Sequence, residues 1–149
     1  MKFIWIIALL FLTPTVIAGN LEEVEDLVAS HHFNRAWEED VFDCADMASA
    51  NWQFFKDLGY NPVIAVRKQQ PWDNGSHCYI IIPVGGELIG LDTSMTLGTN
   101  TSESLGTILR DDVKFHKLFM NPTQLMRYDK SISEGLRLPY NYRGVIDDN

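Results

Sequence analysis

The fold is decided by residues 76–93, SHCYIIIPVGGELIGLDT, which predict a β-hairpin. The apolar, β-branched residues on either side of Gly85 and Gly86 are typical of strands, and adjacent glycines supply the positive φ angles of a tight turn. A turn centred on the two glycines places Val84 opposite Glu87. A three-residue loop would change this register, whereas a four-residue loop with the same centre would keep it.

This register brings polar side chains onto one face of the hairpin. Counting back from the turn places His77 opposite Ser94. Tyr79 then lies opposite Asp92. Because side-chain direction alternates along a strand, all four side chains project from the same face. His77 and Asp92 are diagonal neighbours with backbones about 7–8 Å apart, within reach of two side chains that lean together.

The clearest helix upstream of the hairpin covers residues 43–58. Asp43 is a good N-cap, and Asp46 occupies the third helical position. Gly59 is suited to the left-handed conformation that ends a helix. One face of this helix carries Cys44, Met47, Ala48, Asn51, Phe54, Phe55 and Leu58.

The remaining segments complete an α+β pattern. We expect a short helix at 20–30, a loop and helical turn at 31–42, a buried strand at 63–66, loops at 69–75 and 95–104, a helix at 122–132 and a polar tail at 144–149. Residues 105–113 fit neither helix nor strand clearly. The predicted core is therefore a long helix that packs on a small antiparallel sheet.

The chain is one domain in size, with 149 residues, 46% hydrophobic and 21% charged. That composition is typical of a globular protein. The formal net charge of −8 and the lack of a basic run disfavour nucleic acid and anionic membrane surfaces as partners.

Residues 1–18 resemble a secretory signal peptide. Lys2 supplies a positive charge, residues 3–12 are FIWIIALLFL, and Ala18 precedes a plausible cleavage site. An uncleaved anchor is the alternative, although the apolar stretch is shorter than the about 20 residues that span a bilayer. We therefore expect residues 19–149 to be a secreted or extracytoplasmic domain. Glycosylation sequons occur at Asn74 and Asn100.

Cys44 is the candidate nucleophile because it begins the long helix, where the positive end of the helix dipole favours thiolate. Asp43 and Asp46 oppose that effect, so a base is needed. His77 can supply the base, and Asp92 can orient its imidazole. The Cys44 N–H is a natural donor to an oxyanion.

The competing interpretation pairs Cys44 with Cys78 in a disulfide, as is usual for two cysteines outside the cytoplasm. Strand alternation directs Cys78 to the face opposite His77. We therefore expect Cys44 to reach either His77 or Cys78, but not both, with Cys78 a small buried side chain in the first case.

Several other residues are candidates for the site. Asn34 or Trp37 could provide the second oxyanion donor, and Trp72 could line a cleft beside His77. The adjacent His31 and His32 do not make a metal site, since neighbouring side chains point apart. We expect neither a metal nor a cofactor.

Residues 42–48 (FDCADMA), 77–80 (HCYI) and 90–93 (GLDT) resemble the core of the transglutaminase-like superfamily, more narrowly the small transglutaminase-like domains of methanogenic archaea. The resemblance covers residues 40–95 in order. It implies a papain-like fold with catalytic Cys44, His77 and Asp92. Members of the superfamily include transglutaminases, peptidases and amidases. The spacing from cysteine to histidine is tight for the superfamily, which indicates that large substrate loops are absent.

These observations predict an exported, monomeric, thiol-dependent enzyme that transfers an acyl group from a peptide or protein amide. Hydrolysis is favoured over cross-linking because nothing in the sequence indicates an amine site or calcium loops. The alternative is a catalytically inactive binding domain in which Cys44 is structural or disulfide-bonded. A folding or redox role has little support from the sequence, which lacks a C-x-x-C pair.

Overall fold

The computed structural model describes residues 19–35, 42–68, 76–93, 105–110, 113–128 and 145–148. These residues form a mixed α+β fold. In chain order the elements are α1 (Leu21–Ser30), β1 (His31–Phe33), α2 (Cys44–Asp57), β2 (Val63–Lys68), β3 (Ser76–Val84), β4 (Glu87–Asp92), β5 (Thr107–Leu109), β6 (Lys117–Phe119), α3 (Pro122–Tyr128) and β7 (Ile146–Asp148).

The main sheet is antiparallel and has the strand order β5-β4-β3-β2-β6. The predicted hairpin register is confirmed, since Val84 lies opposite Glu87 and Ile80 lies opposite Leu91. The two glycines of the turn have φ angles of 58° and 89°, which only glycine adopts readily. The register fixes which side chains of β3 and β4 share a face.

Helix α2 begins where the sequence predicts. Asp43 is its N-cap and accepts hydrogen bonds from the Ala45 and Asp46 amides at 2.8 and 3.3 Å. Asp46 in turn accepts from the Asp43 amide at 3.2 Å, which completes a capping box. The helix ends before Gly59, whose φ is 91°. Cys44 is consequently fixed as the first residue of the helix.

The core lies between α2 and the face of the sheet to which Cys78, Ile80 and Ile82 contribute. Phe55 from the helix is fully buried there, as is Ile80. Burial of a large apolar side chain stabilises the fold by about 1.5–3 kcal/mol. This packing holds the first turn of α2 against β3.

A second, two-stranded sheet joins the two ends of the described chain, and here two predictions are wrong. Residues 31–33, expected in a loop, form β1, and residues 146–148, expected in a polar tail, form β7. His31 Nε2 lies 2.8 Å from Asp148 Oδ1. Strands of three residues are too short to show a period-two pattern, so their pairing depends on tertiary contacts.

The other differences lie at the sheet edges. Residues 105–113 contribute β5, and β6 pairs with β2 although no strand was predicted there. Helix α3 starts at Pro122 as expected. The predicted leader at 1–18 and the loops at 69–75 and 95–104 lie outside the described residues. Within the described ranges, no helix combines the length and apolarity needed to cross a bilayer.

Candidate active site

His77 and Asp92 meet on one face of the hairpin. His77 lies in β3, Asp92 is the last residue of β4, and Nε2 of His77 donates to Oδ1 of Asp92 at 2.7 Å. Both side chains are buried, with exposed fractions of 7% and 1%. The predicted diagonal contact is confirmed. It uses Nε2 of the imidazole and leaves Nδ1 for a second partner. Ser94, predicted opposite His77, lies outside the described residues.

Two neighbours hold this pair in place. The Tyr79 ring stacks on the His77 ring, with centroids 6.3 Å apart and planes 13° apart, and its hydroxyl donates to the Lys114 carbonyl at 2.6 Å. Arg67 lies opposite His77 in the pairing of β2 with β3. Its Nη2 is 3.6 Å from the second carboxylate oxygen of Asp92.

Sequence reasoning missed Arg67. The length of the segment between β2 and β3 does not fix their register, so nothing in the sequence placed Arg67 beside His77. Its side chain is 41% exposed, which places a positive charge at the border between the buried pair and solvent.

Cys44 is the third member of the site. Its thiol interacts with the Cys78 thiol, the His77 side chain and the Cys78 backbone, and all three influence its pKa. The Cys78 thiol contributes most to lowering the pKa of Cys44, burial opposes it, and the His77 hydrogen bond, the Cys78 backbone and the His77 charge lower it further. The resulting pKa is about 4 instead of 9.0. Cys44 is therefore a thiolate at neutral pH.

The pKa of His77 moves in the opposite direction. Burial is the largest influence and lowers it, but hydrogen bonds with Asp92 and Cys44, together with their charges, raise the pKa from 6.5 to about 9. Between these two pKa values, about 4 and about 9, the site holds a thiolate beside an imidazolium. This is the charge state of an activated cysteine nucleophile with its general acid.

The expectation that Cys44 would meet only one of its two candidate partners is wrong. Neither cysteine is in a disulfide, and Cys44 interacts with both His77 and Cys78. Strand alternation separates the side chains of neighbouring residues, but their Cα atoms are only about 3.8 Å apart. A sulfur that packs beside this strand can therefore interact with both residues.

The acidic residues at the start of α2 were expected to oppose the thiolate. In the structure their carboxylates bind backbone amides instead. Asp43 is held by the Ala45 and Asp46 amides, and Asp46 by the Asp43 amide. These donors stabilise both negative charges locally.

Asn51 supports the site from the middle of α2. It was predicted on the buried helix face without a role. It is fully buried, and its Nδ2 donates to the Leu105 carbonyl at 2.9 Å. Leu105 precedes Gly106, where an added Cβ would lie 2.9 Å from the Asp92 carbonyl oxygen. A polar residue within an apolar helix face was the available signal for this contact.

The remaining candidates do not join the site within the described residues. Asn34 donates to Asp147 Oδ2 at 3.3 Å, beside the pairing of β1 with β7. Trp37, Trp72 and the two sequons lie outside the described residues. In the part of the chain that is described, no group of three or more His, Cys, Asp or Glu residues could hold a metal ion.

Comparison of the chain with protein-family models, curated proteins and solved structures finds no match.

Proposed function

We propose that the protein is a thiol-dependent acyl-transfer enzyme that acts on amide bonds. Cys44 is the nucleophile, His77 is the general acid and base, and Asp92 orients the imidazole. The observation that carries this proposal is the hydrogen bond of His77 with a buried Asp92, together with the interaction of the same His77 with the Cys44 thiol. A cysteine, histidine and carboxylate in this order perform the roles of a nucleophile triad.

The proposed reaction begins with attack of the Cys44 thiolate on the amide carbonyl carbon. The Cys44 N–H donates to the developing oxyanion, because the other amides of the first helical turn are used by Asp43: its side chain binds those of Ala45 and Asp46, and its carbonyl binds that of Met47. As the C–N bond breaks, the His77 imidazolium protonates the leaving amine. The products of this step are a thioester on Cys44 and a free amine.

Hydrolysis completes the proposed cycle. Neutral His77 removes a proton from water, the resulting hydroxide attacks the thioester carbonyl, and the Cys44 thiolate leaves. The acid is released, and the thiolate–imidazolium pair is restored. A primary amine in place of water would give transamidation. We favour hydrolysis because the sequence shows no amine site and no calcium loop.

The arrangement also supports a papain-like core and a relationship to the transglutaminase-like superfamily, which we propose on the same residues. A helix that starts with the cysteine packs on an antiparallel sheet whose consecutive strands carry the histidine and the carboxylate. We further propose that residues 1–18 are a cleaved leader. Intact mass of the mature protein distinguishes cleavage after Ala18 from a retained anchor.

The second candidate function is a binding domain that keeps this core without catalysis. The charged state of the site argues for the enzyme, since a binding domain has no need of a buried thiolate beside an imidazolium. The reactivity of the Cys44 thiol towards an alkylating reagent separates the enzyme from the binding domain.

The test uses the purified protein with a defined peptide mixture and a labelled primary amine. We expect peptide cleavage, with little incorporation of the amine, and loss of turnover in Cys44→Ala. His77→Gln is the matched second variant, because glutamine can still hydrogen-bond to Asp92 but cannot act as general base. Equal processing by the wild type and Cys44→Ala, or a Cys44 thiol that reacts no faster than a free cysteine near pH 5, would contradict the proposal.

A further inference from the structure

The proposed reaction makes no covalent use of Cys78, although Cys44 packs against the core cluster that contains Cys78 and the two thiols interact. Cys78 is 1% exposed, whereas Cys44 is only partly buried. Cys78 belongs to the apolar cluster between α2 and the sheet, and Cys44 packs against that cluster. The site thus combines a partly exposed cysteine with a second, buried cysteine beside it.

We propose that Cys44 and Cys78 form a reversible redox pair, in which a hydroperoxide oxidises Cys44 and Cys78 then closes a disulfide. The disulfide removes the nucleophile and so switches off acyl transfer. That regulatory consequence rests on the proposed function. Disulfide formation itself depends only on the two sulfurs.

The chemistry balances with hydrogen peroxide as the oxidant. The Cys44 thiolate attacks one peroxide oxygen, the O–O bond breaks, and Cys44 becomes a sulfenic acid while hydroxide leaves. The His77 imidazolium supplies the proton that converts this hydroxide to water. The Cys78 thiol then attacks the Cys44 sulfur, the S–O bond breaks, and a second water leaves. Two thiols and one peroxide thus give one disulfide and two waters.

The geometry assigns a different role to each cysteine. An oxidant from solvent meets Cys44 first, because Cys44 is partly exposed and Cys78 is buried. Cys78 is anchored in the middle of the sheet, opposite Val66 of β2. Closure of the disulfide therefore requires the first turn of α2 to approach β3 until the sulfurs are about 2.05 Å apart. Oxidised cysteines with a resolving thiol beside them avoid irreversible conversion to sulfinic acid.

The test treats the reduced protein with one equivalent of hydrogen peroxide and measures intact mass and free thiols. We expect the mass to fall by two hydrogen atoms, the free-thiol count to fall from two to zero, and both to return after dithiothreitol. Peptide mapping should find Cys44 linked to Cys78 within one chain. A wild-type mass that instead rises by oxygen atoms, with Cys78 still a thiol, overturns the proposal.

Cys78→Ser is the matched control because its hydroxyl keeps a hydrogen-bond donor beside Cys44 but cannot form a disulfide. We expect this variant to stop at sulfenic acid with one equivalent of peroxide, which dimedone labels, and with a second equivalent to gain a second oxygen that dithiothreitol does not remove. Cys44→Ser should resist peroxide, since Cys78 is buried. Rapid oxidation of Cys78 in Cys44→Ser, or full recovery of oxidised Cys78→Ser by dithiothreitol, also overturns the proposal.

The same samples separate the two proposals of function and regulation. A reversible disulfide in a protein that never turns over an amide would remove the acyl-transfer proposal and leave the redox pair. Turnover that survives peroxide, with no disulfide formed, would remove the redox pair and leave the acyl-transfer proposal.

Discussion

Removing both groups that lower the pKa of Cys44 should move its reactivity to higher pH. The variant combines His77→Gln with Cys78→Ala, which leaves burial, which raises the pKa, and the smaller effect of the Cys78 backbone, which lowers it. We expect its pKa to return to at least the ordinary 9.0 from about 4. Each single substitution should give an intermediate pKa, and Cys78→Ser should stay closest to the wild type.

The size of the effect depends on two opposing factors. At about pH 5 a thiol with a pKa of 9.0 is ionised to about one part in 10⁴, whereas a thiol with a pKa of about 4 is mostly ionised. A thiolate of lower basicity is also a weaker nucleophile. With a Brønsted coefficient of about 0.4–0.5, the rate constant of the thiolate falls roughly 10²-fold between these two pKa values. The wild type should therefore react about 10²-fold faster near pH 5, while near pH 7 the two factors cancel.

The assay is the rate of iodoacetamide alkylation of Cys44 against pH, followed by mass spectrometry of the peptide that contains it. The wild-type rate should already be level by about pH 5, and the double variant should rise tenfold per pH unit until about pH 9. A wild-type profile that rises through the range of an ordinary thiol refutes the assigned contacts of Cys44. A single rate near neutral pH would not discriminate.

Three further substitutions test the support of the site. Asp92→Asn should lower the pKa of His77 from about 9, because it removes the carboxylate that raises this pKa against the effect of burial. NMR titration of the imidazole ring measures the change, and an unchanged titration would contradict the pairing of His77 with Asp92. Turnover should fall on the order of 10³–10⁴-fold. Asp43→Ala removes the helix cap and should lower the free energy of unfolding by about 1 kcal/mol in urea denaturation; no loss would mean that the cap contributes nothing. Gly106→Ala places a Cβ 2.9 Å from the Asp92 carbonyl oxygen at a φ of 141°. It should lower the free energy of unfolding by about 1–3 kcal/mol and slow the alkylation of Cys44 at low pH. Wild-type stability and a wild-type alkylation rate would show that this close approach relaxes freely.

The hairpin and α2 were predictable because each is specified locally. Two glycines fix the turn, and the turn fixes which side chains of the two strands share a face. An aspartate cap and a terminal glycine fix the ends of the helix. These local rules were sufficient to bring His77 and Asp92 together, which is why their contact follows from the sequence.

The contacts that the sequence did not reveal depend on tertiary structure. Arg67 reaches Asp92 only through the register of β2 with β3, which no short turn sets. The interaction between Cys44 and Cys78 depends on how closely the start of α2 packs against β3. Strand alternation gives the direction of each side chain but not the distance to a helix that packs on the sheet.

The pairing of β1 with β7 makes the two ends of the described chain depend on each other. Deleting residues 145–148 would remove the hydrogen-bonding partner of residues 31–33, more than a hundred positions earlier. Phe33 and Val145 are both buried, so such a deletion would also expose apolar surface next to α1. A purification tag or fusion partner is therefore better joined through a flexible spacer after Asn149 than in place of the final residues.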